Sequence, residues 1–148
     1  MSLEKLFSHI KINKCEVKNR IVMAPMGTNF ENIDGSVNES LIDYFEARAK
    51  GGVGLIISPQ VMVNKKQDGL GIFSNRFIPG MNWICERVQS FGAKFLLQIG
   101  HHGGKVTRDF VRGKPVAPSS IYSPIYPEIP RELTIEEIKK LIEDFSQA

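Results

Sequence analysis

Three short apolar runs end in residues able to hold a flat heterocycle that forms hydrogen bonds along its edge. Ile21-Val22-Met23 runs into Ala24-Pro25-Met26-Gly27, and Val53-Gly54-Leu55-Ile56-Ile57 runs into Ser58-Pro59-Gln60. The third, Phe95-Leu96-Leu97, continues into Gln98-Ile99-Gly100-His101-His102-Gly103-Gly104. Ala24 and Gly27 are small enough for backbone to approach a ring closely, and Pro25 stiffens the turn between them. Met26 supplies soft, polarizable packing. Gln98 places a carboxamide inside an otherwise apolar strand. It donates and accepts, as recognition of a pyrimidine-type edge requires.

Other chemistries fit less well. Taken singly, a strand-end Pro or Gly is a turn signal, so it is the convergence of three ends that carries weight. His101-His102 invites a metal, but adjacent side chains diverge and no third ligand is suitably spaced, so no metal site is expected. The glycines of Gly51-Gly52-Val53-Gly54 precede a strand where a dinucleotide fingerprint would follow one. There is no P-loop and no nucleophile elbow.

The positioning elements alternate. The apolar runs are continuous and rich in branched side chains, which predicts strands covered on both faces, as in a parallel sheet. Asn38 is placed to cap a helix over 39–50, with Leu41, Tyr44, Phe45 and Arg48 at helical spacing and Gly51-Gly52 as its stop. Phe77, Met81, Ile84, Val88 and Phe91 form one apolar stripe of a second helix, which Gly92 ends; Pro79 restricts its start to the first turn. Thr134-Ile135-Glu136-Glu137 is a capping box opening a third helix, with Ile135, Ile138, Leu141, Ile142 and Phe145 expected as its buried face. Ile10-Lys11-Ile12 and Cys15-Glu16-Val17 flank Asn13-Lys14 and predict a small hairpin. Lys114 to Arg131 reads as a long loop, and loops of that length are usually functional or mobile.

Strand–helix alternation builds a parallel sheet through right-handed crossovers. Three such strands cannot close an eight-stranded barrel, so the expected fold is the amino-terminal portion of a TIM (β/α)8 barrel. It comprises about three β/α units after the hairpin, with the remainder of the barrel expected beyond residues 1–148.

Composition excludes several classes. With 148 residues and 42% hydrophobic content, the chain can bury a core. A net charge of +3, evenly spread, does not predict nucleic-acid binding. No run approaches the roughly 20 apolar residues of a membrane helix, and the start lacks a signal-peptide core. The two cysteines, Cys15 and Cys85, lie far apart and form no zinc or redox spacing. A cytoplasmic protein is expected.

The stretch Asn19-Arg20-Ile21-Val22-Met23-Ala24-Pro25-Met26-Gly27 resembles the first barrel strand of the Old Yellow Enzyme family of FMN-dependent ene-reductases. The resemblance continues through residues 44–57, 97–103 and 115–119, and through Pro130-Arg131-Glu132-Leu133-Thr134, in order along nearly the whole chain. It implies FMN over the carboxyl ends of the strands. Ala24, Pro25, Met26 and Gly27 match the segment against the flavin, and Gln98 matches the glutamine that bonds its pyrimidine edge. Gln60 falls where the second strand contacts the cofactor, through backbone. Asn29 lies near a position that carries a substrate-facing Tyr in some members.

Gly27 stands where some members have a redox-tuning Cys. It resembles the branch of 2-enoate and dienoyl-CoA reductases, whose larger members add a 4Fe-4S cluster and FAD. Gly104 stands where Arg is common. The implied activity is NAD(P)H-dependent reduction of an activated C=C bond in an unsaturated carbonyl or enoate substrate. The residues expected to hold substrate and phosphate lie outside the chain, so the alternative is a non-catalytic barrel fragment that needs its missing part. A homo-oligomer or the missing barrel half is the expected macromolecular partner.

Overall fold

The structure, a computed structural model, describes residues 3–148. A single short turn of helix, α1 (Glu4–Phe7), leads into the hairpin of β1 (Ile10–Ile12) and β2 (Cys15–Val17). Their antiparallel register pairs Ile12 with Cys15 across a turn in which Asn13 takes a φ of 52°, a left-handed conformation that asparagine tolerates. Next come β3 (Val22–Met23), α2 (Glu39–Lys50), β4 (Leu55–Met62), α3 (Ile78–Gln89) and β5 (Lys94–Gly100). These three strands form one parallel sheet in the order β3-β4-β5.

Both connecting helices follow their local signals. The Asn38 side chain accepts the Leu41 backbone N–H at 3.1 Å, capping α2. At its other end Gly51 stays right-handed and Gly52, with a φ of 102°, makes the turn away. α2 buries Leu41, Ile42, Phe45 and Ala49, while the expected Arg48 lies outside with its guanidinium 3.6 Å from the Tyr44 ring centroid. α3 starts just after Phe77 with Pro79 in its first turn, and buries Met81, Ile84 and Val88. Together with Ile56, Val61 and Ala93 these side chains make one core between the helices and the sheet. Phe45 sits at its centre, edge-on to Phe95 with ring centroids 5.1 Å apart. Arg87 of α3 bonds Glu46 of α2 across the helix pair.

β4 departs from simple alternation. Leu55 to Ile57 pair with Lys94 to Leu96, but pairing resumes with Gln60 opposite Gln98, so Ser58 and Pro59 together face Leu97. This extra residue is a β-bulge. Its effect is visible in the core, where Ile56 and Val61 share one cluster although their separation is odd. With period-2 alternation they would face opposite ways. The Ser58 hydroxyl stabilises the irregularity by accepting the Gln98 backbone N–H at 2.9 Å and donating to the Pro59 carbonyl at 2.7 Å. Ser58 to Gln60 therefore lie inside the strand and do not follow its end as expected.

Asn19 fixes the approach of the hairpin to the sheet. It is buried, donates to the Gly52 carbonyl at 2.8 Å and accepts the Ile21 N–H at 3.1 Å. Gly54 lies against it. A Cβ there would come within 2.5 Å of Asn19 Oδ1 and 2.8 Å of its carbonyl oxygen.

Three expectations need correction. β5 is not covered on both faces: Leu96, Leu97 and Ile99 are exposed, and among the described residues no strand pairs with its far edge. The third helix, α4 (Ile135–Gln147), has the expected capping box but buries no residue. Ile135 and Ile142 are 67% and 64% exposed, since no described element covers that face. Finally, the Lys114–Arg131 segment is bounded by a short parallel pair, β6 (Val116–Ala117) with β7 (Arg131–Glu132). Such two-residue strands are too short to leave a periodic signal. No helix among the described residues is long and apolar enough to cross a membrane.

Candidate functional site

At the carboxyl ends of β3, β4 and β5 lies a cleft of about 870 Å³. Of the seven positions expected to form a site, Pro25, Met26, Gly27, Asn29, Gln60 and Gln98 line it. Ala24 is exposed and lies just outside the lining. Met26 presents an apolar surface that is 57% exposed. A Cβ on Gly27 would meet nothing within 4 Å, so the space beside this residue is open. Asn29 adopts a φ of 53°, which turns the chain at the cleft's edge.

Three of the cleft's hydrogen-bonding side chains have no partner among the described residues. Gln60 and Gln98 stand opposite one another on β4 and β5. Neither carboxamide bonds to another group among the described residues, although the Gln98 backbone N–H is held by Ser58. The Thr28 hydroxyl, also lining the cleft, is buried and has no partner among the described residues. Gln60 was expected to act through backbone, yet its side chain projects over β5. A Cβ on Gly100 would overlap the Gln60 amide nitrogen and lie 2.5 Å from its Cγ. Glycine at position 100 is what admits that side chain.

A second wall comes from the loops after β4 and β5. Gln67, buried among them, ties the loops together: its carbonyl oxygen accepts the His102 backbone N–H at 2.6 Å, and its amide nitrogen lies 2.9 Å from His101 Nε2. His101 Nδ1 faces the Gly103 N–H at 3.0 Å. Both ring nitrogens of His101 thus face N–H groups; the neutral ring accepts from one of them, and a doubly protonated ring would accept from neither. Burial, and next the neighbouring His102, holds its pKa below the ordinary 6.5. His102 turns the other way, lining the cleft with Nε2 at 3.3 Å from the Asp68 carbonyl. Among the described residues no group of three or more His, Cys, Asp or Glu could hold a metal.

Sequence reasoning missed Thr28, Gly100 and Gln67. Thr28 flanks a selected motif and Gly100 lies inside one, so both could have been included by proximity. Gln67 sits in a loop without periodicity and carried no signal. The loop residues Val106, Phe110 and Tyr126 of the same cleft were likewise unmarked.

Parallel strands linked by helices, with a cleft at their carboxyl ends, define part of a β/α-barrel protein whose ligand site is built from strand ends. The chain belongs to the NADH:flavin oxidoreductase / NADH oxidase family, whose model it matches over residues 5–148. It is 44% identical over 149 residues to an NADH oxidase of Thermoanaerobacter brockii, and 39% identical over 154 residues to a cinnamate reductase of Clostridium sporogenes. Each match covers 97% of this chain and 23% of the relative. Among solved structures, the old yellow enzyme homologue from Zymomonas mobilis superposes with a TM-score of 0.86 at 27% identity, covering 97% of this chain and 43% of that one. A 2-naphthoyl-CoA reductase in complex with 2-naphthoyl-CoA gives 0.84 at 30% identity, over 97% and 24%. The chain therefore spans less than half the length of these relatives, and its fold is a portion of the TIM barrel they share.

FMN and a nicotinamide reductant are the redox partners of this family. The residues present fit an FMN ring. The cleft falls in the size range of ligand sites, its wall mixes apolar and polar side chains in comparable number, and its buried Thr28 hydroxyl and Gln98 carboxamide have no partner among the described residues.

Proposed function

We propose that the full-length protein is an FMN-dependent, NAD(P)H-driven reductase of an activated C=C bond in a small unsaturated carbonyl or enoate compound. One observation carries this reading: Pro25, Met26, Gly27 and Gln98, chosen on chemical grounds, and Gln60, which the resemblance implies, converge on a single cleft in which the Gln98 carboxamide has no partner among the described residues. When bound, FMN would accept and pass on hydride. The protein's part is to bind and orient. Gln98 offers a donor and an acceptor for the pyrimidine edge, Met26 packs against the ring, and the open space at Gly27 admits it. Ala24 and Pro25 set the turn that carries Met26, and Asn29 faces the substrate side. A 4Fe-4S cluster and FAD, which the resemblance attaches to the larger branch, would be held outside residues 1–148.

Purified full-length protein tests this directly. The expected result is FMN released on denaturation, bleaching of the bound flavin by NADH or NADPH without oxygen, and recovery of its colour on adding cinnamate or cinnamaldehyde. Protein free of flavin, or bleached flavin that no enoate or enal restores, would count against the reading.

A second reading concerns residues 1–148 alone, where the open edge of β5 and the bare apolar face of α4 favour a non-catalytic piece that needs covering. These 148 residues are then the amino-terminal part of the FMN domain and do not turn over alone.

A further inference from the structure

We propose that the Gln60 carboxamide is a specificity-determining contact for the cleft's second ligand. It donates a hydrogen bond to the carbonyl or carboxylate oxygen of an unsaturated aldehyde or acid bound outward of the Gln98 level. This rests on the reading of the cleft as an FMN seat.

Two features aim the side chain. The bulge at Ser58-Pro59 turns Gln60 onto the same face as Gln98, while Ile56 and Val61 go to the core. Gly100 then leaves space above β5, and the Gln60 side chain crosses it, its Cγ and Cδ 2.5 and 2.7 Å from where a Cβ would stand. Gly100 is two residues beyond Gln98, a step of roughly 6.6 Å along a strand. The two carboxamides therefore serve different depths. Gln98 works at the level assigned to the cofactor, and Gln60 reaches toward the mouth.

The chemistry of the surroundings selects the ligand atom. Met62 and Leu70, which line the cleft with Gln60, are 1% exposed each. The Gln60 amide N–H, half-buried in this wall and with no partner among the described residues, takes its acceptor from outside the chain. A ligand oxygen supplies it. An alkene lacking that oxygen would gain nothing from Gln60.

The test uses full-length protein carrying FMN, titrated with cinnamate, cinnamaldehyde and β-methylstyrene, with Kd read from perturbation of the flavin absorbance. Gln60→Leu keeps the volume and removes the donor. The expected result is a Kd for cinnamate and cinnamaldehyde about tenfold higher, as for one lost hydrogen bond. Protein re-saturated with FMN should bind β-methylstyrene with an unchanged Kd. Gly100→Ala, which displaces the same side chain, should weaken the oxygen-bearing ligands similarly, and the double variant should be no weaker than either single one. Gln60→Leu binding both oxygen-bearing ligands within twofold of wild type would overturn the proposal. So would additive losses in the double variant, or wild-type protein whose FMN responds to neither ligand. Wild-type protein that holds no FMN would instead remove the reading beneath it.

Discussion

Arg131 grips Glu137 through both terminal guanidinium nitrogens, at 2.8 and 2.6 Å, and the same carboxylate accepts the Thr134 backbone N–H at 2.9 Å. The pair fastens β7 to the first turn of α4, completing the capping box in which Thr134 Oγ1 accepts the Glu137 N–H. A bidentate contact of this kind is stronger and more directional than a single ion pair.

The Arg131 guanidinium first, and the Thr134 N–H second, hold the Glu137 carboxyl down to about 2. A carboxyl lowered in the folded state stabilises it above the ordinary value of 4.5, and that contribution is lost as pH falls from there through about 2. Carbon-13 titration of the carboxyl should show the low midpoint. Amide protection in the first turn of α4 should decline over the same window. Glu137→Gln should flatten that decline, and 1 M salt should shrink it because the site is exposed.

His101 gives a second pH signature. Its pKa is lowered, chiefly by burial, so the neutral ring favours the folded state above the ordinary 6.5, and this is lost as pH falls below 6.5 toward the folded value. Histidine-ring NMR should place the His101 midpoint below that of free histidine. Gln67→Leu leaves the His102 N–H without its acceptor, and should cost about 1–3 kcal/mol in urea denaturation of the full-length protein.

At Gly54 the close approach of Asn19 leaves no room for a methyl group. Gly54→Ala should destabilise the full-length protein by about 1–3 kcal/mol, as overpacking does. Gly27→Ala, where a Cβ meets nothing, should leave the denaturation midpoint unchanged. Any loss of FMN in that variant would then report on the cleft and not on folding.

Residues 1–148 expressed alone should expose Leu96, Ile99, Ile135 and Ile142. Unpaired strand edges and bare apolar helix faces promote association. Sedimentation should find concentration-dependent assembly, and gel filtration should strip added FMN. A monomer that keeps stoichiometric flavin and reduces cinnamaldehyde would defeat the second reading.

The strong periodic segments were legible. α2, α3 and the capping box of α4 follow from caps, stripes and glycine stops that act within one helix. Strand identity was legible too, because continuous branched runs leave few other options. What α4 buries was not, since an amphipathic stripe states that a face is apolar and not what covers it. The bulge in β4 was hidden as well: Ser58-Pro59 looks like a strand end, and only pairing with β5 shows two residues facing one. At the site, residues on strands were found by their chemistry. Thr28, Gln67 and Gly100 matter through long-range proximity, which leaves no trace in spacing.

The bulge also sets the strand's tolerance to change. β4 carries two reading frames of side-chain direction, one before Ser58 and one after Pro59, and the extra residue is the shift between them. Deleting one residue there would merge the frames: Ile56 and Val61 would stand four apart, so a regular strand would still send Val61 to the core and Gln60 to the cleft. A codon lost from a regular stretch of β4 would turn the residues beyond it inside out, whereas one lost at the bulge would only straighten the strand.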